Sequence, residues 1–261
     1  MLTLLTFKKG VLKMKKIVLI LAFAVGVFAH SSLEVARKSY ESMSGYISSI
    51  SRTTMVLKNA QGVENLRKLE IKKMENIEGD KSLLTFLYPL DIKDTKLLSF
   101  EQIAADDKQW LYLPALKRVK RISASNKSGS FMASEFSYED IASQNYENYT
   151  YEGEAQKVMR NAEEFFKITR IPKNENSGYS KQILYVETKT YLVKFGEYFD
   201  KQEKLLKEVI FSEYQKLDGI YRIKKIEMKN AQTQKSSMLI WEEDVIHANL
   251  SENDFSQRVL Q

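Results

Sequence analysis

The sequence predicts a mainly β protein built on one large curved antiparallel sheet, a half-open barrel closed by a few helices. Three observations predict it. From Tyr46 onward, segments with apolar residues at every second position follow one another along the chain. Short polar turns separate them, at 59–62, 78–80 and 217–219 among others. Only two segments, 31–44 and about 134–142, carry a helical pattern. Many strands set Lys or Glu against Leu, Ile, Tyr or Phe, so one face is wet and the other buried. A single sheet this large curls. Helices laid across its mouth tend to leave an apolar cavity.

Taken in order, Ser31 and Ser32 can cap the first helix, and Leu33, Ala36, Tyr40 and Met43 follow at helical spacing until Gly45. Strands are then expected at 49–58, 63–74, 81–88 (stopped by Pro89), 95–100 and 108–113 (stopped by Pro114). A basic strand occupies 117–121 and leads through a small polar loop, 123–130, into an aromatic-rich segment ending near Ile141. Further strands are expected at 145–151, 156–160, 163–171, 182–188, 191–199, 204–214, 220–229 and 235–247. No domain boundary, internal repeat or low-complexity tract interrupts residues 30–261, which read as one β domain.

The first 29 residues are different in kind. Lys15 and Lys16 precede an apolar run over 17–28, and Val27-Phe28-Ala29 fits a small-x-small cleavage rule. Residues 1–29 therefore read as an export signal cut after Ala29, with Met14 as the expected true start. The alternative is an uncleaved N-terminal anchor, although the run is short for a membrane span. This segment also explains the sequence pI of about 9.1. It carries five Lys and no acid, and without it 35 basic residues face 34 acidic ones. A general nucleic-acid-binding surface is not expected from such a balance. The chain has no Cys, hence no disulfide and no lipidation cysteine, which fits a soluble protein of a bacterial periplasm.

Most catalytic chemistries lack their parts. There are two histidines, His30 and His247, far apart in sequence. Without Cys and with scattered His, no zinc site is expected. There is no Gly-x-Ser-x-Gly elbow and no glycine-rich phosphate loop. The carboxylate pairs Asp106-Asp107 and Glu163-Glu164, and the run Glu242-Glu243-Asp244, sit at turns or strand ends and read as solvated. Neither a metal site nor a catalytic centre is expected from these residues.

The stretch 110–141 is the candidate site. The basic residues Lys117, Arg118, Lys120 and Arg121 read either as a solvated sheet edge that blocks aggregation or as a docking patch for lipid headgroups or an acidic partner. Phe131, Phe136 and Tyr138 read either as core or, with Met132, as the lining of a greasy cavity.

The residues of this stretch resemble a known family. The run 110–122 (WLYLPALKRVKRI), then 128–132 (SGSFM) and 134–140 (SEFSYED), is similar to the signature of the outer membrane lipoprotein-sorting proteins. These are LolA-like periplasmic proteins often encoded beside RND/MMPL-type exporters. The segments 86–89 (FLYP), 198–200 (YFD), 227–230 (EMKN) and Asp254-Phe255 extend the resemblance over about residues 45–260. One departure stands out. Ala133-Ser134-Glu135 occupies the place where the family usually has Gly-Ser-Asp, which bears on any tight turn that needs glycine at 133. The resemblance implies a curved sheet wrapped around helices, with a cavity that shields acyl chains. It implies binding of a lipid or lipoprotein acyl chain, with no cofactor and no catalysis; the alternative is an accessory protein that carries nothing and docks on an inner-membrane RND/MMPL exporter. On this reading Phe131, Met132, Phe136 and Tyr138 line or gate the cavity mouth, and Trp110 and Tyr112 support its wall. Lys117, Arg118, Lys120 and Arg121 would meet a headgroup or partner.

Overall fold

Residues 30–103, 105–142 and 144–260 are described by a computed structural model. Residues 1–29, read above as an export signal, lie outside the described residues. One helix, α1 (Ser32–Met43), opens the described chain, with the Ser31 hydroxyl accepting the Glu34 amide at 3.1 Å as its N-cap. There follow β1 (Ser48–Lys58), β2 (Glu64–Met74), β3 (Lys81–Tyr88), β4 (Lys96–Phe100), β5 (Lys108–Leu113) and β6 (Arg118–Ile122). A short helix, α2 (Tyr138–Ile141), precedes β7 (Tyr149–Tyr151), β8 (Gln156–Arg160), β9 (Glu163–Pro172), β10 (Lys181–Glu187), β11 (Val193–Phe199) and β12 (Leu205–Ser212). The chain ends with β13 (Gln215–Leu217), β14 (Ile220–Arg222), β15 (Lys225–Asn230) and β16 (Ser236–Ile246), followed by two short turns of 3₁₀ helix.

Fourteen of the strands form one antiparallel sheet in the order β6-β5-β4-β3-β2-β1-β16-β15-β12-β11-β10-β9-β7, with β8 also on β9. Each half is a meander. The halves are joined where the first strand pairs the last, with Met55 opposite Leu239. The sheet does not close: β6 is one edge, and β7 and β8 lie at the other. Yet β6 and β7 are consecutive in the chain. The connection, residues 123–148, therefore has to span the sheet from edge to edge, and it does so as a strap across the concave face. The Arg67 guanidinium of β2 donates to the Met132 carbonyl. The Glu135 amide donates to Ser237 Oγ of β16 at 3.0 Å. Asp140 accepts from Lys207 Nζ of β12 at 2.8 Å and from the Tyr179 hydroxyl.

Strand alternation sorts the apolar residues into two cores. Met55, Leu69, Leu84, Phe86, Leu97, Leu111, Phe166, Ile168, Val209 and Leu239 face the concave side with Val35 and Ala36 of α1 and Phe131 and Phe136 of the strap. On β3 to β5 the alternate residues are apolar as well. Leu83, Leu98, Trp110 and Tyr112 face the convex side, where Phe255 and Leu260 of the C-terminal turns cover them.

The expected elements differ from those observed in three places. The helix expected at about 134–142 is reduced to α2, preceded by a 3₁₀ turn at Phe131–Ala133, because Ser134 (ψ 170°) and Ser137 (ψ 168°) are extended and the capping box of Ser137 with Asp140 starts the helix only at Tyr138. The strand expected at 145–151 begins only at Tyr149, since Asn145 caps a 3₁₀ turn over Tyr146–Asn148 by accepting the Glu147 amide at 2.9 Å. The strand expected at 220–229 is divided, and its first part pairs with β13 in a separate hairpin.

Two outcomes follow. Phe86 is fully buried, with its ring 5.8 Å from that of Phe131 where strap meets sheet. Phe86→Ala should lower stability by about 3–5 kcal/mol in urea unfolding; a loss below about 1 kcal/mol would contradict the described core. Ala133→Gly removes an L-residue penalty at a positive φ and should raise stability by about 1 kcal/mol. A loss in the same measurement would contradict the left-handed conformation at that residue.

Candidate functional site

A sheet of this width encloses more space than α1 and the strap fill. Between them lies a cavity of about 320 Å³, at the lower end of the roughly 300–1,000 Å³ typical of ligand sites. Its floor is built by inward positions of five strands: Ile168 of β9, Leu184 of β10, Val209 of β12, Met228 of β15 and Leu239 of β16. Ala36 and Tyr40 of α1 cover one side, and Phe136 and Ala142 of the strap cover another. The lining is mostly apolar, so water inside it finds few partners and an apolar guest displaces that water favourably.

Polar groups meet the cavity on both halves of the sheet. On the β2 side, Lys73 continues the inward row of Leu69 and Ile71, and burial lowers the pKa of its ammonium. That ammonium forms no hydrogen bond or ion pair among the described residues. Nearby, Glu75 accepts the amides of Gly45 at 2.8 Å and Ile47 at 2.7 Å, fixing the positive-φ turn that joins α1 to β1. Burial, reinforced by the charge of Glu101, pushes the Asp80 carboxyl up to about 6. Arg222 reaches in from β14, paired with Asp244 at 2.7 Å. Asp244, read from the sequence as part of a solvated run, is buried instead, because its partner arrives from a hairpin that periodicity did not reveal. On the β9 side, Arg170 continues the inward row of Phe166 and Ile168. Its Nε donates to Gln182 Oε1 at 2.7 Å, its Nη2 donates to Gln144 Oε1 at 2.9 Å, and its guanidinium lies 3.9 Å over the Tyr149 ring.

The residues singled out in 110–141 are divided among several places. Phe136 is on the cavity wall. Phe131 is buried beneath the strap between the rings of Phe86 and Tyr138, where it anchors the crossing. Met132 and Tyr138 are partly buried against the same core. Trp110 and Tyr112 face the convex side, away from the cavity, and Leu111 between them faces in. The basic residues are exposed on the edge strand β6 and the turn before it, with Arg118 opposite Leu113, Lys120 opposite Leu111 and Arg121 opposite Trp110. The run thus presents charge on both faces of that edge. None of Lys117, Arg118, Lys120 or Arg121 takes part in an ion pair among the described residues.

Lys73 and Arg170 were not singled out from the sequence. Each nevertheless stands at the next inward position of an apolar row, Leu69-Ile71-Lys73 and Phe166-Ile168-Arg170. A long cation at a position expected to be apolar was the available signal.

A family model described as "Uncharacterized protein" matches residues 78–261. No curated protein matches the chain. Among solved structures, an outer membrane lipoprotein-sorting protein domain from Vibrio parahaemolyticus is 39% identical, with a TM-score of 0.82 over 87% of this chain and 97% of that one. A DUF1329 family protein from Desulfovibrio piger is 27% identical, with a TM-score of 0.83 over 88% and 98%. A LolA superfamily protein from Nitrosomonas europaea shares the fold at 16% identity, with a TM-score of 0.72 over 88% and 99%.

The raised Asp80 pKa makes a signed prediction. The unfolded carboxyl loses its proton near 3.8, whereas the folded one keeps it to about 6. The group's contribution is therefore full below about pH 4 and is lost as the pH rises through 6. Asp80→Asn should flatten stability against pH between 4 and 6 and add roughly 1–3 kcal/mol at pH 7. An unchanged profile in urea titrations across that range would contradict the assignment.

Proposed function

The chain belongs to the outer membrane lipoprotein-sorting protein family, and from that premise we propose that it is a periplasmic carrier for the acyl chain of a lipid or lipoprotein. Residues 1–29 serve as its export signal and residues 30–261 as the working unit. The observation that carries this reading is the apolar cavity, roofed by α1 and the strap, on the concave face of a sheet that does not close. Burial of an acyl chain contributes about 0.8 kcal/mol per CH₂, so a chain of ordinary length gains useful affinity from enclosure alone. Phe136 forms wall for the chain. Phe131, Met132 and Tyr138 hold the strap that separates cargo from water. The carrier needs no cofactor, no metal and no bond-breaking step.

The basic edge supports a second role. Four exposed cations without ion-pair partners among the described residues, beside Leu116 at 63% exposure, suit contact with anionic headgroups or with an acidic face of a partner. An inner-membrane exporter of the RND/MMPL type is the partner we assign to it. If that contact is the whole of the function, the protein is an accessory that docks and carries nothing.

Native mass spectrometry of protein isolated from the periplasm should find bound species with the masses of acyl lipids; protein repeatedly found empty would overturn the carrier reading. Ala36→Phe places a ring in the cavity from α1 and should lower acyl-ligand affinity at least tenfold with the circular dichroism spectrum unchanged. For the docking role, Arg118→Glu with Arg121→Glu should abolish recovery of the exporter from membranes and leave lipid binding intact. Recovery equal to the unsubstituted protein would exclude the edge as the interface.

A further inference from the structure

Among the buried or half-buried cations on the inner side of the fold, Lys73 has no ion pair but feels the charge of Asp80, and Lys207 and Arg222 each have an acid. Lys207 is 2.8 Å from Asp140, and Arg222 is 2.7 Å from Asp244. Arg170 has none. It is 7% exposed and forms no ion pair with any carboxylate among the described residues. Its partners are the amide oxygens of Gln182 and Gln144 and the rings and hydroxyls of tyrosines, all neutral. Asp140 also lines the cavity, but it is matched by Lys207 and by the Tyr179 hydroxyl. A buried guanidinium cannot shed its proton, and leaving it without a counter-charge is unfavourable. The sequence nevertheless places Arg170 on the inward face of β9, in line with Phe166 and Ile168, where an apolar residue would extend the wall.

The surroundings suit an anion. Arg170, Gln144, Tyr151 and Tyr198 all line the cavity. The hydroxyls of Tyr151 and Tyr198 face the guanidinium, while the Tyr151 hydroxyl also donates to the Tyr146 carbonyl at 3.0 Å. The guanidinium is held in plane by Gln182, Gln144 and the Tyr149 ring, so it is oriented before a ligand arrives. A planar donor fixed in this way fits carboxylate and phosphate oxygens better than a flexible ammonium does. The apolar floor formed by Ile168 and Leu184 begins beside it.

We propose that Arg170 anchors the charged end of the cargo, and that the cargo is an acyl amphiphile with an anionic group, a carboxylate or a phosphate. This rests on the acyl-carrier reading and narrows it. An acyl chain attached through a neutral ester or amide alone satisfies the cavity wall but leaves Arg170 unbalanced.

The test compares three probes of one chain length, laurate, dodecyl phosphate and 1-dodecanol, by displacement of a fluorescent acyl reporter. On the unsubstituted protein, at least one anionic probe should bind tenfold or more tightly than dodecanol, and the tighter of the two identifies the headgroup as carboxylate or phosphate. Arg170→Gln should abolish that preference and leave dodecanol binding within about twofold, while Arg170→Lys keeps part of it. Equal binding of all three probes to the unsubstituted protein overturns the proposal and leaves the carrier reading standing; this comparison needs no variant and does not depend on how Arg170→Gln folds. A preference that survives in folded Arg170→Gln also overturns it. Failure of all three probes to bind removes the carrier reading itself, and the anchor with it.

Discussion

The structure depends on one topological constraint. Two strands that follow each other in the chain, β6 and β7, occupy opposite edges of a fourteen-stranded sheet. The residues between them cannot turn back as a hairpin and must cross the concave face. That crossing converts a curled sheet into a container. It also sets the chemistry of the strap, which carries Phe131 and Phe136 to bury against the sheet, Glu135 and Asp140 to bond to the strands it passes over, and Glu139 to accept the Gly178 amide of the loop between β9 and β10. The left-handed residues Met132 and Ala133 bend it at the point where Arg67 holds its backbone. Ala133 holds this bend although it carries a Cβ, at a conformational cost.

The cavity results from incomplete filling. A twelve-residue helix and a strap largely without regular structure cover a sheet much wider than either. In a purely structural interior, the remaining volume would be closed by larger side chains, since voids in a core are destabilising. Here the inward rows contain Ser39, Ser51 and Ala142, and the space remains. Buried charges surround it. Lys207–Asp140 and Arg222–Asp244 are paired, and such pairs fix geometry more than they add stability. They tie the strap and the β13–β14 hairpin to the sheet and so hold the walls apart.

Much of this was legible in the sequence, and what was not has identifiable causes. The strands read clearly because one face is polar along most of them, as in β2, where Lys68, Glu70 and Lys72 alternate with Leu69 and Ile71. The direction of Trp110 and Tyr112 was not legible, because β3 to β5 are apolar on both faces. Leu83 and Leu84, or Leu97 and Leu98, give no sign of which is inside until the C-terminal turns cover the convex side. The strap's helix is shorter than its apolar pattern suggests, since Ser134 and Ser137 are extended and Ser137 caps the helix at Tyr138. The basic edge was legible as charge and its exposure follows from its edge position. Arg170 was visible only as a break in an apolar row; that no acid meets it depends on residues far away in sequence.

On the proposed reading, sheet, strap and the Arg170 guanidinium form a cavity suited to an amphiphile, apolar along its length and cationic at one end. The central claim is that this space is a ligand site and not a packing defect. A crystal structure of the protein saturated with a long-chain fatty acid tests it most directly. The account predicts a single chain lying between α1, the strap and the floor formed by Ile168, Leu184 and Val209, with the strap still in place. A chain bound outside the sheet, or side chains relaxed into the space so that no chain enters, would contradict it.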